Sequence, residues 1–298
     1  MARKSTFKAF KNDAIYAGLR AAAALGRRLS LDRARRWGRR TGALAWRVVP
    51  RERKKALRTL AVAFPDLSPA ERAAIARRAF EHLGVSLFEI AWLPNLDRGA
   101  FETTTRWEHL DRFRRAADLG RGVVLFTGHC GNWEWMAAAI ALAGFRMNVV
   151  ARQIYDPRVN DFIVASRAAF GVQSIGRGSS AAAREILQTL RAGAVLGVLI
   201  DQNIKVEAAQ VPFFGVPAPT PIGPARLAIR SGAVAIAGFI RREPDGTQVI
   251  RFEEPVETRE DDDPVELTAA MTRAIEEQIR RVPEQWVWMH DRWRVRAR

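Results

Sequence analysis

Four histidines are available to any mechanism that needs one: His82, His109, His129 and His290. Five residues on from each stand Leu87, Arg114, Glu134 and Val295, so His129 alone has an acid at that spacing. The pair forms H-x-x-x-x-E within TGHCGNWE. A histidine that titrates near neutral pH can take a proton from an alcohol, and a carboxylate can orient the ring and stabilise the imidazolium it becomes. The alkoxide then attacks a thioester carbonyl, with no covalent intermediate on the enzyme. No G-x-S-x-G elbow suggests a serine nucleophile. Cys130 reads as packing, because neighbours in sequence rarely aim their side chains at each other productively.

Such a pair needs elements that hold it. From about residue 101 the pattern alternates strands and helices. GVVLFT (122–127) reads as a buried strand and NWEWMAAAIALAG as a helix. RMNVVAR is a strand, RVNDFIVASRAAFG a helix, VQSI a short strand and SSAAAREILQTLRAG a helix. AVLGVLID (194–201) is again a buried strand. A Pro-rich loop, QVPFFGVPAPTPIG, leads to a helix near 224–231. AVAIAGFIRR and TQVIRFEEPV read as strands, and the last helix runs over roughly 264–281. This predicts an α/β fold with a mostly parallel or mixed central sheet flanked by helices, preceded by an N-terminal helical region. In open α/β sheets, sites collect at the carboxyl ends of strands. His129 lies just past such an end, Asn132 is placed to cap the next helix, and Glu134 falls in its first turn, where the dipole favours anions. Asp201 ends another buried strand. An acid there is costly unless paired, so it is expected to be hydrogen-bonded and near the site.

The chain has 298 residues, with 48% hydrophobic content, one cysteine and a net charge of +16. One cysteine excludes an intramolecular disulfide and a Cys-rich zinc site. Residues 1–58 carry 18 Lys/Arg against Asp13, Asp32 and Glu52, which is +15 of the total. A localised excess points to a polyanionic partner. In RARRWGRRTGALAWRV (33–48), Ala34, Trp37, Thr41, Leu44, Ala45 and Val48 share one helical face, with arginines opposite. This suits either the interfacial region of a membrane or a surface helix packed on the domain, and the charge asymmetry favours the membrane. AIYAGLRAAAALGRRLS is broken by Arg20 and reads as too short to span a bilayer. No signal peptide is expected. Residues 1–60 are read as a basic amphipathic membrane-associating region and residues 61–298 as the α/β domain. Ser68, Pro69 and Glu71 mark a capped helix start at the head of the latter.

With these motifs assembled, the chain resembles the bacterial lipid A biosynthesis (lauroyl/myristoyl) acyltransferases of the lysophospholipid acyltransferase superfamily. TGHCGNWE is similar to that family's first motif, which implies His129 and Glu134 as its catalytic pair. The segment AR…DPRVNDFIVASR is similar to the one supplying a functional arginine, with Arg167 as first match and Arg152 as second. GVLIDQN resembles its Asp-Gln motif, Asp201 and Gln202. VPFFGVPAPTPIGPARLAIRSGA and WVWMHDRWR also resemble family segments. The resemblance implies transfer of a fatty acyl group from acyl carrier protein, or from acyl-CoA, to a hydroxyl of a lipid A precursor in lipopolysaccharide biosynthesis. Arg167, Arg152, Asn132, Asp201 and Gln202 would contact substrate, with no metal and no cofactor. It places the protein on the cytoplasmic face of the bacterial inner membrane, peripheral or monotopic, against an anionic surface. Members usually carry an N-terminal transmembrane helix, and here the equivalent stretch is short and broken by arginine. Glu134 stands where the phospholipid-making branch usually has Asp, which favours the lipid A branch. A phosphatidylinositol mannoside, an ornithine lipid or a lysophospholipid is the alternative acceptor.

Two other classes fit single features. GRGSSA (176–181) matches G-x-G-x-x-A, with Asp201 twenty residues on, as in a NAD(P)-binding enzyme. The basic N-terminal segment fits a nucleic-acid-binding protein, but no nucleic-acid module appears, and none is expected as a partner. His290, between Trp288 and Trp293, is either a second functional histidine or part of a packed tail.

Overall fold

The computed structural model describes residues 29–96, 98–152, 156–178 and 180–293, and, before residue 29, Asp13, Tyr16, Ala17, Arg20 and Ala24. Most of the expected AIYAGLRAAAALGRRLS segment lies outside the described residues, as do Gln153 and Tyr155.

Seven strands form one sheet. In chain order they are β1 (Thr105–Glu108), β2 (Val123–Thr127), β3 (Met147–Ala151), β4 (Gln173–Gly176), β5 (Val195–Leu199), β8 (Val234–Arg242) and β9 (Gln248–Phe252). The spatial order is β1-β9-β8-β2-β5-β3-β4. β8, β2, β5, β3 and β4 run parallel, and β9 turns back antiparallel to β8 with β1 parallel to β9. The sheet is therefore mixed, as the α/β pattern predicts. β1 was not legible in the sequence: TRWE is four residues of no clear alternation at a sheet edge.

Successive residues of β2 supply two cores, because a strand's side chains alternate faces. Val123 and Leu125 face a core with Phe113, Trp135 and Ile140. Those residues come from α5 (Leu110–Asp118) and α6 (Trp133–Leu142). Val124 and Phe126 face a second core with Leu190, Ala225 and Ile275. Its helices are α8 (Ser180–Arg191), α9 (Gly223–Ser231) and α10 (Pro264–Arg281). Burial on both faces explains why β2 and β5 read as continuous apolar runs.

The N-terminal helices pack on this sandwich. They are α1 (Leu31–Val48), α2 (Pro50–Ala63) and α3 (Pro69–Trp92); α4 (Arg98–Thr104) and α7 (Pro157–Ala168) complete the set. Ser68 and Glu71 form the expected capping box: the Glu71 N–H donates to Ser68 Oγ (3.3 Å) and the Ser68 N–H to Glu71 Oε2 (2.7 Å). The boundary expected between residues 60 and 61 falls inside α2, whose Ala56, Leu60 and Ala63 are buried in the second core.

α1 docks through a face the sequence reading did not choose. Its buried residues are Ala34, Gly38 and Gly42, a small-residue stripe against α3. The backbones come so close that a Cβ on Gly42 would stand 2.2 Å from the Phe80 carbonyl oxygen. Of the predicted apolar face, Ala34 is buried, but Trp37, Leu44 and Val48 are 49%, 55% and 62% exposed.

The Pro-rich stretch is not a loop. β6 (Ala208–Phe213) and β7 (Val216–Pro221) form an antiparallel two-stranded ribbon. The turn is Phe214-Gly215, with φ of 53° and 74°. Both turn residues have positive φ, as a type I′ two-residue hairpin turn requires. Prolines tolerate such a ribbon because each strand has only one neighbour and needs a ladder N–H at alternate positions only.

Candidate active site

The chain leaves β5 toward β8 on one side and β3 toward β4 on the other, so the connections diverge between these two adjacent strands. That divergence opens a crevice at their carboxyl ends. A cavity of about 830 Å³ occupies it, lined in part by His129, Glu134, Arg152, Arg167, Gln202 and His290.

β2 ends at Thr127 and the chain turns through Gly128 to His129. A Cβ on Gly128 would stand 3.1 Å from Asp201 Oδ2 and 2.9 Å from Ile275, so the turn needs glycine to let the two strand ends meet. Asp201 follows β5, which pairs with β2 through Leu199↔Thr127. The His129 backbone N–H donates to Asp201 Oδ2 at 2.7 Å, and the His129 ring Nδ1 lies 2.7 Å from Oδ1. Trp286 Nε1–H donates to Oδ2 at 2.6 Å. Asp201 is 3% exposed. Burial pushes its carboxyl up, but the neighbouring His129 and the hydrogen bonds from His129 and Trp286 outweigh burial and hold it at about 2. An ionised carboxylate only accepts, so a neutral His129 ring carries its proton on Nδ1 and its lone pair on Nε2. The Trp133 ring packs edge-on against the imidazole, 4.9 Å between centroids.

Spacing pairs Glu134 with His129; the structure pairs Glu134 with Arg167. Arg167 Nε donates to Glu134 Oε2 at 2.8 Å and a terminal nitrogen to Oε1 at 2.6 Å, a bidentate fork. Another Arg167 nitrogen donates to Ser174 Oγ at 3.3 Å. Asp201 thus holds the ring, and Glu134 with Arg167 forms a separate ion pair on the cavity wall. Those two side chains are 14% and 16% exposed. Removing one leaves the other charge partly buried and alone, which costs more than removing both. Glu134→Ala and Arg167→Ala are each expected to lower activity and thermal stability, with the double variant losing less than their sum. A double-mutant cycle should show coupling of about 1–3 kcal/mol.

Asn132 caps α6 as expected, its Oδ1 accepting from the Trp135 N–H at 3.1 Å. Its Nδ2 donates to Glu89 at 3.0 Å, and it is 1% exposed. Both ends of the amide are consumed by protein, so Asn132 shapes the turn and does not reach the cavity. Glu89 is fully buried between Arg242 and Arg35. Cys130 is buried, and its thiol is pushed well up by burial and by Asp201, which fits packing. His290 lines the cavity and its Nε2 accepts the Asn203 N–H at 2.8 Å. Burial lowers its titration, which keeps it neutral as that acceptor role requires.

Sequence reasoning missed Trp286, which lies 85 residues from Asp201 and carries no local signal of the contact. It also missed Arg177 and Lys205 on the cavity wall. The dinucleotide reading does not survive: the acid it needs for a ribose is enclosed by His129 and Trp286. Among the described residues, no group of three or more His, Cys, Asp or Glu is placed to hold a metal ion.

The chain matches the family model described as bacterial lipid A biosynthesis acyltransferase over residues 3–295. It is 28% identical over 268 residues to the lipid A biosynthesis lauroyltransferase of Escherichia coli (strain K12), covering 86% of this chain and 83% of the relative. The lipid A biosynthesis palmitoleoyltransferase of the same strain is 28% identical over 269 residues, covering 87% and 84%. A phosphatidylinositol mannoside acyltransferase of Mycolicibacterium smegmatis is 25% identical over 203 residues, covering 67% and 66%. The family model spans nearly the whole chain, including the cavity and the strand ends that carry His129 and Asp201, and the protein belongs to the bacterial lipid A biosynthesis acyltransferase family.

Proposed function

We propose that this acyltransferase moves a fatty acyl group from an acyl carrier protein thioester to a hydroxyl of a lipid A precursor. The observation that carries the mechanism is the His129–Asp201 contact, which leaves His129 Nε2 as the unprotonated ring atom on a cavity wall. Nε2 takes the proton of the acceptor hydroxyl. The alkoxide oxygen bonds to the thioester carbonyl carbon, giving a tetrahedral oxyanion. Its collapse breaks the carbon–sulfur bond, and the thiolate leaves with the proton returned from Nε2. Backbone N–H groups in the first turn of α6, and the dipole of that helix, favour the oxyanion. Glu134 and Arg167 line the wall the acceptor crosses.

A second cavity of about 750 Å³ shares Val150, Val198, Leu199 and Ile204 with the first. Leu187, Leu227 and Pro224 extend it away from His129 toward the end of the Pro-rich ribbon. Such a trough suits the acyl chain, with the thioester left at the polar end. Similarity to a phosphatidylinositol mannoside acyltransferase favours, as second reading, another glycolipid acceptor in the same site. The test is mass spectrometry of lipids incubated with purified protein and lauroyl-acyl carrier protein. A lauroyl mass gain on a lipid A precursor supports the first reading, and gain only on another glycolipid supports the second.

The docking face is α1, on the cytoplasmic leaflet of the inner membrane. Trp37, Leu44 and Val48 point outward, and Arg36, Arg40 and Arg47 flank them, all exposed. Among the described residues, no helix is long and apolar enough to cross a membrane. An interfacial helix gains from buried apolar area and from anionic lipid together. Trp37→Glu/Leu44→Glu is expected to weaken partition onto phosphatidylglycerol vesicles by about tenfold or more. Wild-type binding should fall with added salt. Equal partition of both proteins would refute this face.

A further inference from the structure

The two strand ends beside the catalytic cavity carry cations that no group among the described residues neutralises. β3 and β4 pair in parallel with Ala151 opposite Gly176. The next residues, Arg152 and Arg177, therefore emerge side by side from adjacent strands. The Arg177 N–H donates to the Ala151 carbonyl at 2.9 Å, which fixes that register one residue past the ladder. Both arginines are exposed, and neither makes an ion pair or side-chain hydrogen bond among the described residues. Like charges held opposite each other on neighbouring strands repel. Elsewhere the fold pairs its arginines readily, as with Arg167 and Glu134 or Arg241 and Glu108.

Lys205, in the segment after β5, lines the same cavity and is likewise exposed and unpaired among the described residues. The cavity wall thus holds Arg152, Arg167, Arg177 and Lys205 against one carboxylate, Glu134, which Arg167 already engages. Arg177 occupies the junction. It lines the catalytic cavity, the apolar trough and a side cavity of about 560 Å³ whose wall includes Ala181 and Ala182, in the first turn of α8. That helix start adds a favourable dipole for an anion. Glu185, on the same side cavity, makes no ion pair among the described residues. The turn that presents Arg177 is GRG, and Gly178 has φ of 112°, a conformation that glycine supplies at no steric cost.

We propose that Arg177, with Arg152 and Lys205, forms a phosphate clamp at the point where the apolar trough meets the catalytic cavity. It rests on the acyl-transfer reading for what fills the trough. Three cations on one cavity wall whose single carboxylate, Glu134, is already engaged by Arg167 select a phosphate ester over a neutral or cationic head group. Two substrates bring that chemistry: the phosphopantetheine arm of the acyl donor, and a phosphorylated glycolipid acceptor.

The experiment compares wild type with Arg177→Gln and with Arg177→Gln/Lys205→Gln in two arms. In the donor arm, lauroyl-phosphopantetheine is set against the phosphate-free lauroyl-pantetheine. In the acceptor arm, a phosphorylated lipid A precursor is set against the same glycolipid dephosphorylated. The quantity read is the ratio of kcat/KM with phosphate to kcat/KM without it. The variants are expected to lower this ratio by about tenfold or more in one arm, and that arm identifies the source. Ratios unchanged in both arms overturn the clamp. Inorganic phosphate titrated at constant ionic strength gives a reading independent of turnover. If no acyl transfer occurs with any lipid, the proposed reaction fails, and the titration decides the clamp: saturable binding weakened in Arg177→Gln supports it, and equal binding overturns it.

Discussion

His129→Ala is expected to lower kcat by roughly 10³-fold or more, the scale of losing a positioned general base together with its transition-state charge. The alanine variant also takes away the ring's bond to Asp201, a buried carboxylate with few other donors. Lost activity alone could therefore report lost structure. His129→Asn separates the two. An asparagine amide keeps a donor toward Asp201 Oδ1 and the backbone N–H keeps its bond to Oδ2, yet nothing remains to accept a proton. Both variants should fail to produce acylated glycolipid by mass spectrometry, while His129→Asn keeps a melting temperature near that of wild type. Measurable turnover in either variant, above that of a mock preparation, removes His129 as the base.

Much of the positioning of His129 was legible in the sequence. β2 and β5 are buried on both faces, so VVLFT and VLGVL announce themselves as unbroken apolar runs. The turn between β2 and α6 is marked by Gly128, Asn132 and Glu134 in the order a strand-to-cap transition demands. The expected last helix agrees with α10 to the residue, because Asp263 caps it and Pro264 opens it. The Pro-rich ribbon was missed for a physical reason: proline normally argues against a strand, and only a two-stranded ribbon leaves enough positions without a required N–H.

Which acid meets His129 was not legible. Glu134 is near in sequence, and an i, i+5 spacing across a turn suggests contact. The meeting of His129 with Asp201 depends on β2 and β5 being neighbours, although 72 residues separate the partners. Strand order is a property of the crossovers. The buried cost of Asp201 was the one local hint, and it correctly required a partner without naming it. Similarly, α1 shows its tryptophan face in the sequence, but the stripe that binds the protein is Ala34, Gly38 and Gly42. Glycines carry no hydrophobic signal, and their value here is close backbone approach.

Asp201→Asn is the second large effect, and it tests the pairing directly. In the wild type the carboxylate accepts from Nδ1 and fixes the proton there, leaving Nε2 basic. An amide at 201 must still accept from Trp286 Nε1–H and the His129 N–H through its single oxygen. Its NH₂ then faces Nδ1, which becomes the acceptor, and the ring proton moves to Nε2. The base is lost through the wrong tautomer, and the imidazolium loses its counter-charge. A fall in kcat of roughly 10²- to 10⁴-fold is expected, with KM changed far less. If Glu134 alone oriented the ring, Asp201→Asn would stay within a few-fold of wild type. The same substitution has a stability signature. An aspartate ordinarily titrates near 3.9, and Asp201 is held at about 2 in the fold. A depressed carboxyl contributes stability that is fully present above the unfolded value and is lost as pH falls through the folded one. Between about pH 4 and pH 2 the wild-type melting temperature should therefore drop more steeply than that of Asp201→Asn, which has no proton to gain at 201. Parallel melting curves across that window would show that the carboxylate is not held by His129 and Trp286, and would return the orienting role to Glu134.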